Sequence, residues 1–360
     1  MPRRVKLPKR HNETPSAPRI RPQERLLIDV VSELPAGRLL CNTSGRGQFA
    51  RAYAAAHPTA TATCWFLDIY QRDQAEAGEE SSPNLSFVCT SDPPAAPVDL
   101  VAWALGRRGE SELTREMLQT GYDRLELGGR MVASTDKEED QWLHDELKKF
   151  FPKVTRRPFA DGVLYLATKT EPLDKLKQYD CEFAFRDAGR LIYAYSRPSV
   201  FSHRRLDGGA RTLLNTMTIT PGLQVLDLGC GSGAVGLAAL CRADNVHVLA
   251  VDSNPRALEC ALRGAAKNGL TGLDTALDAS GDAIPTEAFD LVLANPPYFS
   301  HYRIAELFLH TAYRALQPGG LLTVVTKAPA WFVEEMPKGY DDVGSEFVKD
   351  YAVVTGRRPR

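Results

Sequence analysis

The sequence predicts an α/β protein built from two tandem copies of one strand–helix unit. Three observations carry this prediction. Short apolar runs alternate with segments of helical spacing through both halves of the 360 residues, the pattern of a mostly parallel sheet covered by helices. Each half opens with a strand that enters a glycine-containing turn and a helix, followed by a strand closed by an acid. Each half later carries a helix, a Gly-Gly pair and a strand, Leu127-Gly-Gly-Arg-Met-Val-Ala-Ser134 and Gln317-Pro-Gly-Gly-Leu-Leu-Thr-Val324, so an internal duplication accounts for both.

The length suits about two domains. Hydrophobic residues make up 43% and charged residues 25%, an ordinary globular balance. A net charge of -1 leaves no global field of the kind that gathers nucleic acid. The 7 cysteines (41, 64, 89, 181, 230, 241 and 260) are odd in number and contain no C-x-x-C pair. That argues against a zinc site or a disulfide framework, so no metal is expected, and it suits a reducing, cytoplasmic setting. No stretch approaches the roughly 20 apolar residues of a membrane span, and no membrane partner is expected.

Residues 1–25 read as a basic flexible tail without the apolar core of a secretory signal. Arg3, Arg4, Lys6, Lys9, Arg10, Arg19 and Arg21 there suit phosphate contacts or mere solubility. Residues 26–170 form the first unit. Strands fall at Gly37–Cys41, Ala62–Asp68, Leu85–Cys89 and Val98–Trp103, a helix over Ser111–Leu127 stops at Gly128-Gly129, and a strand follows at Arg130–Ser134. Residues 171–199 read as a hairpin linker, with Glu182–Phe185 and Leu191–Tyr195 flanking Arg186-Asp-Ala-Gly-Arg190. Residues 200–360 form the second unit. Its strands are Gln224–Leu228, Val246–Val251, Phe289–Ala294 and Leu321–Thr326. Its helices are Ala234–Cys241, Pro255–Asn268 and Ala305–Leu316, the last stopped by Gln317-Pro-Gly-Gly320.

Three motifs in the second unit carry chemistry. In Val225-Leu-Asp-Leu-Gly-Cys-Gly-Ser-Gly233 a buried strand opens through a glycine turn into a helix. Gly229, Gly231 and Gly233 let the backbone pass close to a ligand around Cys230, and the helix start offers free N–H groups. Such a loop alone also suits a dinucleotide. The acid Asp227 before the first glycine favours S-adenosyl-L-methionine over NAD, because a carboxylate there can hold an amine or an ordered water. Asp252, followed by Ser253, ends the next strand about 20 residues on, where an acid binds a ribose diol. Asp278 and Ala279 would flank the adenine, with Asp274 and Asp282 as competitors. The third motif, Asn295-Pro-Pro-Tyr298, is a stiff loop directly after a buried strand. The Asn295 side-chain oxygen and the Pro296 carbonyl can both accept from one –NH2 group, turning its lone pair toward a methyl donor. Tyr298 offers a ring on which a base can stack. Each motif alone could be an ordinary turn; their order in the chain gives them weight.

Residues 222–327 resemble the class I methyltransferase core, with the N-P-P-[FY] loop of enzymes that methylate exocyclic or amide nitrogens. Upstream, Val200-Phe-Ser-His-Arg-Arg-Leu-Asp-Gly-Gly-Ala-Arg-Thr-Leu-Leu214 resembles the F-S-x-x-x-L-D-x-G-x-x-x-L-L segment of the bacterial ribosomal RNA small subunit guanine-N2 methyltransferases. That resemblance implies two tandem Rossmann-like methyltransferase domains, each a parallel sheet with an antiparallel last strand, the N-terminal copy degenerate. It implies transfer by the C-terminal copy, S-adenosyl-L-methionine as cofactor, and ribosomal RNA or a ribosomal subunit as partner. Phe201, Arg204, Asp207 and Pro297 are then expected beside the substrate with Tyr298, and Arg107, Arg108, Arg156, Arg157, Arg205 and Arg211 are candidate RNA contacts. In the first half the glycine turn, Cys41-Asn-Thr-Ser-Gly-Arg-Gly47, lacks the strand-end acid. Its fourth strand ends in Trp103-Ala-Leu105 rather than Asn-Pro-Pro, while Asp68 stands where a ribose acid is expected. That half is expected to be catalytically dead. Tyr298, where the guanine family usually has Phe, keeps adenine-N6 and protein glutamine methylation open as alternatives. A non-catalytic RNA-binding assembly factor with a retained cofactor site is the reading from another class.

Overall fold

The computed structural model describes residues 19–78, 82–107, 109–297 and 302–360. The chain divides into an N-terminal unit ending at Tyr179 and a C-terminal unit running from Asp180 to Arg360. In the N-terminal unit the order is α1 (Pro22–Asp29), β1 (Arg38–Cys41), α2 (Gln48–Ala56), β2 (Thr61–Phe66), α3 (Ile69–Glu76), β3 (Leu85–Cys89), β4 (Val98–Leu105), α4 (Ser111–Arg124), β5 (Leu125–Thr135), α5 (Trp142–Leu147), β6 (Val154–Phe159) and β7 (Gly162–Thr168). The C-terminal unit opens with a hairpin, β8 (Cys181–Asp187) and β9 (Arg190–Ser196). It continues through α6 (Gly208–Thr216), β10 (Gln224–Leu228), α7 (Ala234–Arg242), β11 (His247–Asp252), α8 (Pro255–Lys267), β12 (Leu273–Leu277), β13 (Phe289–Ala294), α9 (Arg303–Ala315), β14 (Leu316–Thr326), α10 (Pro329–Glu335), β15 (Asp341–Val348) and β16 (Tyr351–Arg357).

The two large sheets have one topology. Their orders are β3-β2-β1-β4-β5-β7-β6 and β12-β11-β10-β13-β14-β16-β15, the same permutation strand for strand. In each, the last strand in the chain, β7 or β16, runs opposite to the other six. Both units are therefore Rossmann-like α/β sheets, and the duplication read from the sequence is a duplication of topology. The central strands are buried on both faces, β10 almost throughout and β4 and β13 nearly so. Their near-continuous apolar runs follow from that double burial.

The structure corrects the sequence reading in three places. The basic tail does not reach residue 25: Pro22 opens α1, and Gln23 and Glu24 are buried. Proline suits the first helical turn because its missing N–H would be unpaired there anyway. The Glu24 carboxylate accepts from Thr43 Oγ1 at 2.8 Å and from the Phe49 N–H at 3.1 Å, so it ties α1 to the glycine turn and the first turn of α2. The tail's basic residues up to residue 18 lie outside the described residues.

Second, neither Gly-Gly pair is a helix stop. Helix α4 ends at Arg124 and α9 at Ala315, and β5 and β14 begin at the next residue. The glycines sit inside those strands, where parallel pairing shifts register. Gly128 and Gly319, at φ +85° and +84°, donate to Lys169 O and Arg358 O, and those residues donate back to Gly129 O and Gly320 O. The left-handed backbone that glycine permits turns each strand start from its parallel neighbour toward its antiparallel one.

Third, the hairpin expected as a linker belongs to the C-terminal unit. Ala188 and Gly189 turn at φ 44° and 80°, the left-handed pair of a two-residue hairpin turn. Phe185, Ile192 and Ala194 are buried in one core with Leu213, Leu214 and Leu237. Asn268, at the end of α8, bonds both the N–H and the carbonyl of Tyr193, at 3.0 and 2.6 Å. The boundary is thus at Tyr179/Asp180 rather than at 199/200.

Removing the Glu24 carboxylate would leave a half-buried hydroxyl and a buried N–H without an acceptor. Glu24→Ala should lower the stability of the N-terminal unit to urea by about 2–4 kcal/mol, and Glu24→Gln, which keeps an acceptor oxygen, should cost less. An unchanged unfolding midpoint in Glu24→Ala would mean that this carboxylate does not hold the turn.

Candidate active site

Strand register assembles the site. Leu228, the last residue of β10, pairs with Val251 on one side and Ala294 on the other, and Asp252 pairs with Leu277. Parallel strands lie about 4.8 Å apart, so Gly229, Asp252, Asp278 and Asn295 leave the same edge of the sheet side by side. This is the edge where ligands bind open α/β sheets, beside the strand at which the order reverses.

The glycine turn is held from several directions. The N–H groups of Gly229 and Cys230 donate to Val251 O at 2.8 and 2.9 Å. Gly231 N–H donates to Asp252 Oδ2 at 2.9 Å, and Asn254 N–H to Asp252 Oδ1 at 2.9 Å. Asp252 therefore orders both the turn and the start of α8, and Ser253 lies between them, partly buried. Gly233 caps α7 at φ +74°, and a Cβ there would stand 2.6 Å from Ala261 Cβ. Only glycine satisfies both the angle and the approach. Phe308 of α9 closes on Gly229, its Cζ 3.0 Å from where a Cβ would stand.

Two residues expected at the cofactor, Asp227 and Asp278, hold backbone in this structure. Asp227 is 3% exposed and lies beneath the turn, its Oδ2 accepting from Gly236 N–H in the first turn of α7 at 2.9 Å. Burial pushes its carboxyl up to about 7, with the Asp252 charge adding to the effect and the Gly236 bond opposing it. The Asp278 carboxylate is committed to its own turn, accepting from the N–H groups of Ser280, Gly281 and Ala283 at 2.7, 3.0 and 2.9 Å. Burial alone would raise its pKa, but these bonds outweigh it and hold the carboxyl below the ordinary range. Cys230 is buried, and that burial pushes its thiol well up. Ala279 follows Asp278 in the turn, partly exposed.

Asn295 is half-buried and leaves β13 against α6. Its Nδ2 donates to Asp207 Oδ2 at 2.9 Å. The same oxygen caps α6, accepting from Gly209 N–H at 2.7 Å and Ala210 N–H at 3.3 Å. Asp207, expected at the substrate entrance, is therefore a helix cap bonded to Asn295. Gly209 was not singled out by the sequence reading. A Cβ on it would stand 2.6 Å from Asn295 Oδ1, so its signal was a second glycine after the cap, where a helix start does not need one. Pro296 is buried and Pro297 partly so; Tyr298 lies outside the described residues. Phe201 is 66% exposed, and its Cβ is 4.0 Å from the Cβ position of Gly231, so an open ring flanks the glycine turn. Arg204 and Arg205 are exposed beside it. Arg211 is turned away, donating to Arg186 O at 2.7 Å and standing over the Phe185 ring. In the N-terminal unit Arg157 pairs with Glu33 and Arg156 donates to Glu138 O, Arg107 N–H donates to Asp136 Oδ1 at 2.6 Å, and Arg108 lies outside the described residues.

The first unit's matching edge lacks these groups. Gly47 caps α2 at φ +74° just as Gly233 caps α7, which places Cys41 opposite Asp227. Cys41 pairs with Cys64 and Ala102 where Asp227 pairs with Ala250 and Leu293. Phe66 thus stands where Asp252 does, and Ala104 where Asn295 does. Asp68, expected at the position of a ribose acid, is not the counterpart of Asp252. It caps α3, accepting from Gln71 N–H at 3.1 Å, as Asn254 caps α8.

Comparison with known proteins gives the class first. Residues 192–344 match the family model described as Methyltransferase small domain, and the C-terminal unit has the class I methyltransferase fold. A solved T. thermophilus 16S rRNA N2 methyltransferase, in complex with AdoMet and guanosine, superposes with a TM-score of 0.77 over 93% of this chain and 92% of its own, at 19% identity; the shared feature is the two-unit fold. Among curated relatives, Ribosomal RNA small subunit methyltransferase C of Haemophilus influenzae (strain PittGG) is 31% identical over 185 residues, 50% of this chain and 55% of the relative. Ribosomal RNA large subunit methyltransferase G of Magnetococcus marinus is 39% identical over 133 residues, 36% of each chain. The chain spans about half the length, or less, of these curated relatives. The resemblance drawn from the motifs is thus a likeness to ribosomal RNA methyltransferases in sequence and in fold. Among the described residues no helix is long and apolar enough to cross a membrane, and no group of three or more His, Cys, Asp or Glu could hold a metal ion.

The raised Asp227 carboxyl has a testable sign. Below the ordinary Asp value of 3.8 it is protonated folded and unfolded alike; between 3.8 and about 7 only the unfolded chain ionises it. Its contribution to stability therefore falls as pH rises through that window and is level above it. Urea midpoints measured across the window should show this slope, and Asp227→Asn should flatten it. An equal slope in the variant would refute the assignment.

Proposed function

We propose that the C-terminal unit transfers a methyl group from S-adenosyl-L-methionine to the exocyclic amine, N2, of a guanine in ribosomal RNA. The observation that carries this reading is Asn295, held at the strand end beside the glycine turn with its amide nitrogen taken by Asp207. The names of the relatives, and the AdoMet and guanosine bound to the T. thermophilus structure, favour it. The donor set fits the cofactor: a glycine turn open to close approach, the N-terminus of α7, and the Asp252 carboxylate one strand over, where a ribose diol can donate to it. Bound there, the sulfonium supplies an already activated methyl group.

The protein's part is mainly to position the amine in line. Asn295 Oδ1 and the Pro296 carbonyl accept its two N–H bonds, aim the nitrogen lone pair, and stabilise the nitrogen as it gains positive character. No base is needed before transfer, and the proton leaves afterward to water. The target base must leave its stack to reach the site, and Phe201 offers a ring against which it can rest. The N-terminal unit, with Cys41, Phe66 and Ala104 at the three key positions, is non-catalytic and serves folding and RNA grip.

Labelled methyl transfer to total RNA, unmethylated ribosomal subunits and protein, followed by nucleoside mass analysis, should yield N2-methylguanosine in ribosomal RNA. N6-methyladenosine or labelled glutamine would overturn the substrate, and no transfer at all would overturn the enzyme. Asn295→Ala should lower turnover at least about 100-fold, the scale of losing one preorganised polar group, with cofactor affinity within about 3-fold. Asp252→Ala should do the reverse, weakening cofactor binding by about 10- to 100-fold.

A further inference from the structure

We propose that Asp207 is a positioning residue that fixes which end of the Asn295 amide faces the substrate, and so makes the site an acceptor of amines. This deepens the guanine-N2 reading and rests on it. A carboxylate oxygen already accepting from two backbone N–H groups, Gly209 at 2.7 Å and Ala210 at 3.3 Å, can only accept from its third neighbour. The Asn295 atom 2.9 Å from it is therefore the –NH2 group. Chemistry settles the orientation that an amide's near-symmetric shape leaves open.

With the nitrogen held, Oδ1 is the end of the amide that has no hydrogen-bond partner among the described residues. Asp207 Oδ2 is the one hydrogen-bond partner of the Asn295 side chain among the described residues. The amide also has little room to rotate. Its polar edge meets Gly209, whose imagined Cβ would stand 2.6 Å from Oδ1 and 2.7 Å from Nδ2. The cap, the glycine two residues later and the Asn on a distant strand form one device. The N-terminus of α6 fixes the carboxylate, the carboxylate fixes the amide, and the bare α-carbon makes room for it. An unpinned amide would present a donor about as readily as an acceptor, and a donor facing an –NH2 group repels it.

The variants separate pinning from helix capping. Asp207→Ser keeps a good cap, but its shorter side chain does not reach Asn295. Asp207→Asn keeps an acceptor oxygen in the same place and should rescue. Gly209→Ala displaces the Asn295 amide without touching Asp207. Three readouts are needed on the full chain: methyl transfer, binding of guanosine and of inosine (which lacks the exocyclic amine) with S-adenosylhomocysteine present, and the Asn295 side-chain amide signals in a nitrogen-15 spectrum, assigned by their loss in Asn295→Ala.

The expected result is that Asp207→Ser and Gly209→Ala lower kcat about 10- to 100-fold, the loss of one hydrogen bond to a charged group. S-adenosylhomocysteine affinity should hold within about 3-fold, and the guanosine-over-inosine preference should collapse. In the spectrum the Asn295 amide protons should be resolved and slow to exchange in the wild type and Asp207→Asn, and should lose that protection in Asp207→Ser. Unchanged protection and preference in Asp207→Ser would overturn the proposal, as would equal losses in Asp207→Ser and Asp207→Asn, which would point to charge rather than pinning. A protected amide in a wild type that neither methylates RNA nor prefers guanosine would leave the pin standing and sink the substrate reading instead.

Discussion

The structure of the C-terminal unit depends on the parallel pairing of β10 between β11 and β13. Because β10 has neighbours on both sides, it is buried almost throughout, and its one buried acid, Asp227, needs a backbone N–H to accept from. Its register then decides where every connecting loop emerges. Leu228 opposite Val251 and Ala294 puts the glycine turn, Asp252 and the Asn-Pro-Pro loop on one edge. A slip of one residue would turn Asp227 from beneath α7 to the opposite face of the sheet. A chemical site made of single residues from four loops is tolerable because the strands below cannot slide.

The polar groups at that edge act on the backbone before they act on any ligand. Asp252 bonds the glycine turn and the start of α8; Asp278 closes its own turn; Asp227 fastens α7 from below; Asp207 caps α6. A loop of glycines has no side chains to fix its shape, so neighbouring carboxylates fix it through N–H groups, and the conformational cost of ordering the loop is met before a cofactor arrives.

The two units share a strand order but not a chemistry. Strand order depends on apolar periodicity and crossover handedness, which tolerate wide substitution so long as volume and pattern persist. The chemistry depends on a few atoms at strand ends. Cys41, Phe66 and Ala104 keep the first sheet packed where Asp227, Asp252 and Asn295 serve the second. In the first unit Glu24, reaching from α1 to Thr43 and Phe49, holds the glycine turn from the other side.

By itself the sequence determined the α/β class, the duplication and the doubly buried strands, β10 and β13 to the residue, because burial on both faces writes a short apolar run. It also determined the three motifs, since glycine turns, a strand-end acid and Asn-Pro-Pro are local chemistry. The edge strands β6 and β15 were not legible, because exposed strands lack that run, nor were their inner neighbours β7 and β16, and the Gly-Gly pairs were misread because a helix stop and a bulged strand start use glycine for the same left-handed angle. The counterpart of Asp252 in the first unit was misassigned to Asp68, since counting along a loop does not give register across a sheet. Only the tertiary structure joined Asp207 and Gly209 to Asn295, residues some 86 to 88 positions apart in the chain. No local pattern encodes which helix cap will lie against which strand end; the order of strands in the sheet decides it.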